Sequence, residues 1–299
     1  MLSTSDLPLS LSLTTFRLEG DRELTSGTVR DALALAAASR CEAVQLSATI
    51  PGLRPRELDR SARRDLAAAI RRAGLGFSGL DLIIPPEHFR QPEHQDRAVA
   101  AIFQACELAA ELSGLLPGLG GASVSTVLDP ATPLAVRKEL AESASRSGCV
   151  LCELNWPPLS DQTELGVPPG SAVGGLPAPP AVGPAISGSP YRCGLDPAAL
   201  LMGGIDPVVT GTRLGAALSH PRLSDVSTVG RIAPGGSGAR LDLMGYRIAL
   251  SAAGYAGPVI LDLRGVHDPW RAAAGAATAW RESVPAFGAL TGGSGYRPG

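Results

Sequence analysis

The feature that narrows this chain most is a repeated alternation of two patterns. Short strand-like runs occur at Leu9–Phe16, Glu42–Ser47, Gly76–Leu82, Ala122–Leu128, Cys149–Leu154, Arg192–Leu195, Leu223–Ser227 and Pro258–Leu263. Runs with helical spacing separate most of them, at Thr28–Arg40, Pro55–Ala73, His94–Ser113, Pro133–Arg146, Asp206–Leu218, Asp242–Ala253 and Trp270–Glu282. Gly74, Gly114 and Gly254 stand where three of these helices should stop. Strands separated by helices predict a parallel sheet. Eight such βα units close naturally into a single (β/α)8 TIM barrel of class α/β; the competing architecture is an open doubly wound sheet. The barrel is expected over 1–290. Residues 157–190 are expected to form an irregular Pro/Gly-rich insertion after strand 5, in place of the fifth helix, and 291–299 a loose tail. The insertion follows a strand carboxyl end, so it is read either as a lid over the barrel mouth or as a stretch with no role.

Composition then removes several functions. Hydrophobic residues make up 44% of the 299, enough for a large core, but aromatics are only 4%, so Ala, Leu, Val and Ile must build it. The formal charge of −2 does not suit a non-specific nucleic-acid binder, which needs a basic face. Lys138 is the single lysine and sits in a polar helical run, which argues against Schiff-base chemistry. No Gly-Lys-Ser/Thr, His-Glu-x-x-His or Gly-x-Ser-x-Gly occurs. The longest uncharged run, 165–191, is broken by Pro and Gly and does not read as a membrane helix. No signal peptide is read at the start, and five cysteines, an odd number, fit reduced thiols in a cytoplasm.

In a parallel barrel the residues at strand carboxyl ends meet at one mouth. The candidates there are Asp81, Glu153, Asp196, Asp225 and Asp262. Several carboxylates around one mouth repel unless a cation, metal or arginine, sits among them. Glu153 and Asp262 close apolar runs and read as site residues. Asp196 precedes Pro197, so a helix N-cap competes with a site role. His88 could reach the mouth from the loop after the third strand. Arg264 could bind an anionic group or pair with a neighbouring carboxylate. Trp156 and Trp270 flank the mouth, where a ring could stack on a sugar, with core packing the default. Gly235-Gly236-Ser237-Gly238 is a weak anion-cradle signal. Cys149 and Cys152 lie three apart on a strand and face opposite sides, so they should not pair.

The C-terminal third resembles the xylose isomerase-like barrels, the sugar phosphate isomerase/epimerase group. A strand ends in Asp196, and Arg222-Leu223-Ser224-Asp225 stands where that group usually has His-x-x-Asp. Leu250-Ser251-Ala252-Ala253-Gly254-Tyr255-Ala256-Gly257 then leads to a last strand ending in an acid. The resemblance spans about 9–283. It implies a divalent metal (manganese, zinc or magnesium) held by Glu153, Asp196 and Asp262, with Glu153 and Asp262 also passing a proton at the substrate carbon. Asp196, Arg222, Arg264, His88 and Trp156 are the candidate substrate contacts. The departures are specific. Arg222 replaces the ligand His and cannot ligate, Ala199 replaces a further His, and Asp262 is one methylene shorter than the usual Glu. Arg222 is therefore expected to replace the cation, paired with Asp196, Glu153 or Asp262. The rival is a metal held by His220 or His267. Two functions follow from the resemblance. One is proton-transfer isomerisation or epimerisation of a small sugar or hydroxy-carbonyl compound. The other is a catalytically degenerate, metal-free barrel that binds a small polar ligand. A polyol or sugar-like molecule and a second copy of the chain, as a homodimer, are the partners in view; nucleic acid and membrane are not.

Overall fold

The computed structural model describes residues 7–15, 26–116, 119, 121–129, 131–154 and 191–284. The insertion 157–190, Trp156 and the tail 291–299 lie outside them. All eight expected strand positions carry strand: β1 (Leu9–Ser12), β2 (Ala43–Ser47), β3 (Gly76–Asp81), β4 (Ser123–Thr126), β5 (Val150–Glu153), β6 (Tyr191–Cys193), β7 (Arg222–Leu223) and, last in the chain, β10 (Val259–Leu261). They form one parallel sheet in the order β6-β5-β4-β3-β2-β1-β10-β7. Its two end strands also meet. Cys193 and Leu218 form a parallel bridge, Ser219 N donates to Cys193 O at 2.9 Å, and Arg222 N donates to Leu195 O at 2.7 Å. The sheet thus curls into the expected barrel.

The expected strand Leu223–Ser227 divides. Only Arg222–Leu223 joins the barrel; Asp225–Ser227 (β8) folds back against Gly230–Ile232 (β9) as an antiparallel hairpin. The helices are α1 (Ser26–Ala38), α2 (Arg60–Arg72), α3 (Pro92–Leu115), α4 (Leu134–Arg146), α5 (Pro197–Met202), α6 (Pro207–Leu214), α7 (Leu243–Ala252) and α8 (Pro269–Glu282). The long helix expected over Asp206–Leu218 breaks at Gly215, whose φ of 50° takes the chain out of the right-handed region. Helix α5 was not expected, although Asp196 caps it and Pro197 opens it. Helix α3 is long and apolar enough by composition to cross a bilayer, yet its stripe of Ala98, Ile102, Ala105, Ala109 and Leu112 is buried in this fold.

Strand alternation sorts side chains into two layers. Leu9, Leu11, Val44, Leu46, Phe77, Leu80, Val124, Leu151 and Leu261 face the helices and join the main apolar core. Ser10, Ser12, Gln45, Ser78, Asp81, Ser123 and Ser125 occupy the alternate, lumen-facing positions, all buried. One irregularity sets the site. The register of β2 against β3 shifts between Val44 and Leu46, and Gly79, at φ 121°, is the extra residue on β3. Without it, strict alternation from Ser78 would turn Asp81 toward the helices. With it, Asp81 enters the lumen.

Candidate functional site

The lumen is built around a buried arginine. Serines at alternate positions of β1, β3 and β4 leave volume that the Arg222 side chain fills, and Arg222 is 0% exposed. Its two terminal nitrogens grip Asp81: Nη2 donates to Oδ1, and Nη1 donates to Oδ2 at 3.1 Å and to Gln45 Oε1 at 2.7 Å. Ser12 Oγ and Thr14 Oγ1 each donate to Asp81 Oδ2 at 2.8 Å. Tyr246 on α7 donates to the Arg222 carbonyl at 3.0 Å and holds β7 from outside. Burial would weaken the charge on Arg222, but Asp81 and then Asp262 outweigh it and raise its pKa further. A buried cation is thus present in the lumen, and its partner is Asp81 rather than the expected Asp196, Glu153 or Asp262.

A second cluster lies beside it, made by strand ends and the hairpin. Asp262 accepts from Arg264 Nε at 2.9 and 2.8 Å and from Nη2 at 2.5 Å. Burial alone would raise the Asp262 pKa; Arg264, then Arg222 and Arg231, outweigh it and hold the carboxyl well below its usual range. Asp196 accepts from Ser224 Oγ at 2.6 Å, from Arg231 Nη2 on the hairpin at 2.5 Å and from Arg264 Nη2 at 3.5 Å. It also accepts from Ala199 N at 3.4 Å, so the cap and the site role coexist. Arg264 pairs with carboxylates, the second of its two expected roles.

Glu153 stands apart from this cluster. Alternation along β5 sends Cys152 toward the lumen and Glu153 toward α4, where Arg137 Nη1 donates to its carboxylate at 2.7 Å and the Tyr191 hydroxyl also donates to it. Arg137 is tied in turn to Tyr191 OH at 3.1 Å and Asp129 O at 3.0 Å. Burial pushes the Glu153 pKa up to about 6 despite Arg137, because its carboxylate is almost wholly desolvated. The structure therefore brings Asp196, Arg264 and Asp262 together, with Arg222 adjoining, and does not bring Glu153 to them.

The other candidates take local roles. Asp225 Oδ1 accepts from the backbone of Val226, Arg240 and Leu241 at 2.7–3.0 Å, tying the hairpin to the glycine loop. That loop turns on Gly236 N to Ala233 O, and a Cβ at Gly235 would lie 2.5 Å from Ala279 on α8; close packing explains its glycine without an anion. His220 sits at φ 48° and is buried. Its Nε2 lies 2.8 Å from both Ser123 Oγ and Ser78 O, and burial, then Arg222, lowers its pKa to about 4. His267 is exposed. His88 packs on His94, with ring centroids 4.5 Å apart, and lines a different pocket. Trp270 packs on the core. All five cysteines are free and buried.

A divalent ion needs several acceptor atoms free to converge. Here the carboxylates of Asp81, Asp196 and Asp262 are each met by a guanidinium. Among the described residues no three His, Cys, Asp or Glu side chains group to hold a metal. The residues present do not fit one, whether through Glu153, Asp196 and Asp262 or through His220 or His267. Reading the sequence missed Arg231, Arg137, Tyr191 and Gln45. The alternating Leu9-Ser10-Leu11-Ser12 and Ser123-Val124-Ser125 carried a signal, since small polar residues facing one way mark a lumen with something large in it.

Known structures share this fold. The chain superposes on an L-ribulose 3-epimerase with a TM-score of 0.61 at 15% identity, covering 92% of each chain. A D-psicose 3-epimerase from Clostridium cellulolyticum H10, solved with D-tagatose, gives 0.62 at 12%, over 93% of this chain and 99% of that one. The protein has the xylose isomerase-like TIM-barrel fold. A Mycobacterium smegmatis protein of the same fold, solved with magnesium, gives 0.60 at 13%, over 95% and 100%. No family model and no curated protein sequence matches. In the present chain, guanidinium groups are packed among the lumen carboxylates.

Proposed function

We propose that this chain is a metal-independent barrel that binds a small neutral polyol or sugar-like molecule at its mouth. The observation that carries the reading is charge balance: Arg222, Arg231 and Arg264 stand against Asp81, Asp196 and Asp262. A balanced cluster presents fixed donors and acceptors with no net charge, which suits hydroxyl groups better than a free cation or a dianion. Five buried free thiols accord with a cytoplasmic setting.

The isomerase or epimerase reading keeps one specific support. Glu153, near pKa 6 and touched by the Tyr191 hydroxyl, is suited to carrying a proton at neutral pH. Its partner in that reading, Asp262, is held ionised by Arg264 and is a poor proton carrier. Calorimetric titration with ketohexoses, pentoses, polyols and hydroxy acids, with a chelator present, separates the two readings when paired with NMR in deuterium oxide. Binding of a neutral sugar or polyol without metal, lost in Arg264→Gln and without deuterium at carbon, is the expected result. Deuterium incorporation that disappears in Glu153→Gln would establish the isomerase reading instead, and no binding across the panel would overturn the proposal.

A further inference from the structure

A pocket of about 640 Å³ lies over the rim at the carboxyl ends of β2 and β3 and uses none of the mouth residues. One wall is a helical stripe. Arg97, Ala100, Ala101 and Gln104 recur at i, i+3, i+4 and i+7 on α3 and share one face. The two alanines are short, and that keeps the pocket open. The opposite wall comes from the β2–α2 loop, where the turn Pro55–Glu57 presents Arg56 and where Arg54 is held in place. Arg54 Nε donates to Thr49 O at 3.1 Å, and its Nη1 meets Glu57 Oε1 at 3.2 Å. His88 closes one side, and Ile84 supplies apolar surface.

The electrostatics differ from those of the mouth. Three guanidinium groups line the pocket and no carboxylate does; Glu57 on the same loop pairs with Arg54 and also acts on Arg56. Among the described residues the Arg97 guanidinium makes no hydrogen bond or ion pair. Guanidinium groups with donors to spare recognise oxyanions, and several around one cavity suit a multiply charged oxyanion better than a single carboxylate.

We propose that this pocket binds a small anion of the phosphoryl class, held between Arg54 and Arg56 on the loop and Arg97 on α3. It is independent of the polyol reading, so either can fail alone. The test is titration of the whole chain with inorganic phosphate at fixed ionic strength, followed by calorimetry and phosphorus NMR. Saturable binding of one equivalent is expected. Arg56→Gln with Arg97→Gln should weaken it at least about tenfold, by removing charge-assisted bonds. Ala100→Phe, on an exposed position, should weaken it comparably by filling the pocket while removing no charge. Arg72→Gln, exposed on α2 and away from the pocket, should leave it unchanged. No saturable binding would overturn the proposal. So would loss of binding in Arg72→Gln equal to that in the pocket variants, or full binding in Ala100→Phe, since both mark general counter-ion attraction.

Discussion

A guanidinium with no exposure is tolerated only when partners replace the water it has lost, and Arg222 is supplied by Asp81 and Gln45 on two of its three nitrogens. Splitting such a pair costs roughly 3–5 kcal/mol, because the remaining charge is stranded. Its Nε is buried and makes no hydrogen bond among the described residues. Glu153 follows the opposite logic. Its one cation, Arg137, does not offset burial, and its pKa rises from an ordinary 4.5 to about 6. The folded state then holds the proton more tightly than the unfolded state. The contribution to stability is full below pH 4.5 and is lost as pH rises through 6, by about 2 kcal/mol. Urea denaturation of the protein and of Glu153→Gln between pH 4 and 7 should show this. The difference in stability between them moves against the unsubstituted protein by about that amount; a constant difference, or the reverse slope, would contradict the assignment. At this scale the sequence was partly legible. Arg222, where the resemblance puts a histidine, marked a cation in the lumen. Its partner was not readable, because Asp81 reaches the lumen only through a bulge.

Glycine at position 79 makes that bulge, and two constraints meet there. Its φ of 121° is a conformation that residues with a Cβ rarely adopt, and a Cβ would lie 2.2 Å from Ser123 Oγ and 2.8 Å from the Ser123 carbonyl. Gly79→Ala should cost about 3 kcal/mol or more in chemical denaturation, from strain and overpacking together. Gly52→Ala, at φ 80° with open space around it, should cost only about 1 kcal/mol. Equal costs would show that packing against Ser123 contributes nothing. The strands were legible because alternation is a local property of each run. The split after Leu223 was not. Asp225 leaves the barrel to collect three backbone N–H groups, two of them from residues 15 and 16 positions further along the chain. Helix α5 is six residues long, too short to show a period, although the Asp196-Pro197 pair marked its start.

Across the whole molecule, charge is arranged in two different ways on the same side of the barrel. At the mouth, arginines and carboxylates cancel within one buried cluster. Over the β2–β3 rim, arginines gather with little compensation. The fold is shared with sugar epimerases, and its architecture was readable from the repeated βα units. The chemistry of the mouth depends on side chains from β3, β7, the hairpin and the segments after β6 and β10, which are scattered along the sequence and meet only once the ring curls. Guanidinium groups stand among the mouth carboxylates and leave few acceptor atoms free for a divalent ion. Titration of the purified protein with manganese, read by calorimetry together with elemental analysis of the protein as isolated, tests this most directly. No bound metal as isolated and no saturable binding at millimolar manganese are expected. One equivalent of metal, lost in Asp196→Asn, would contradict this.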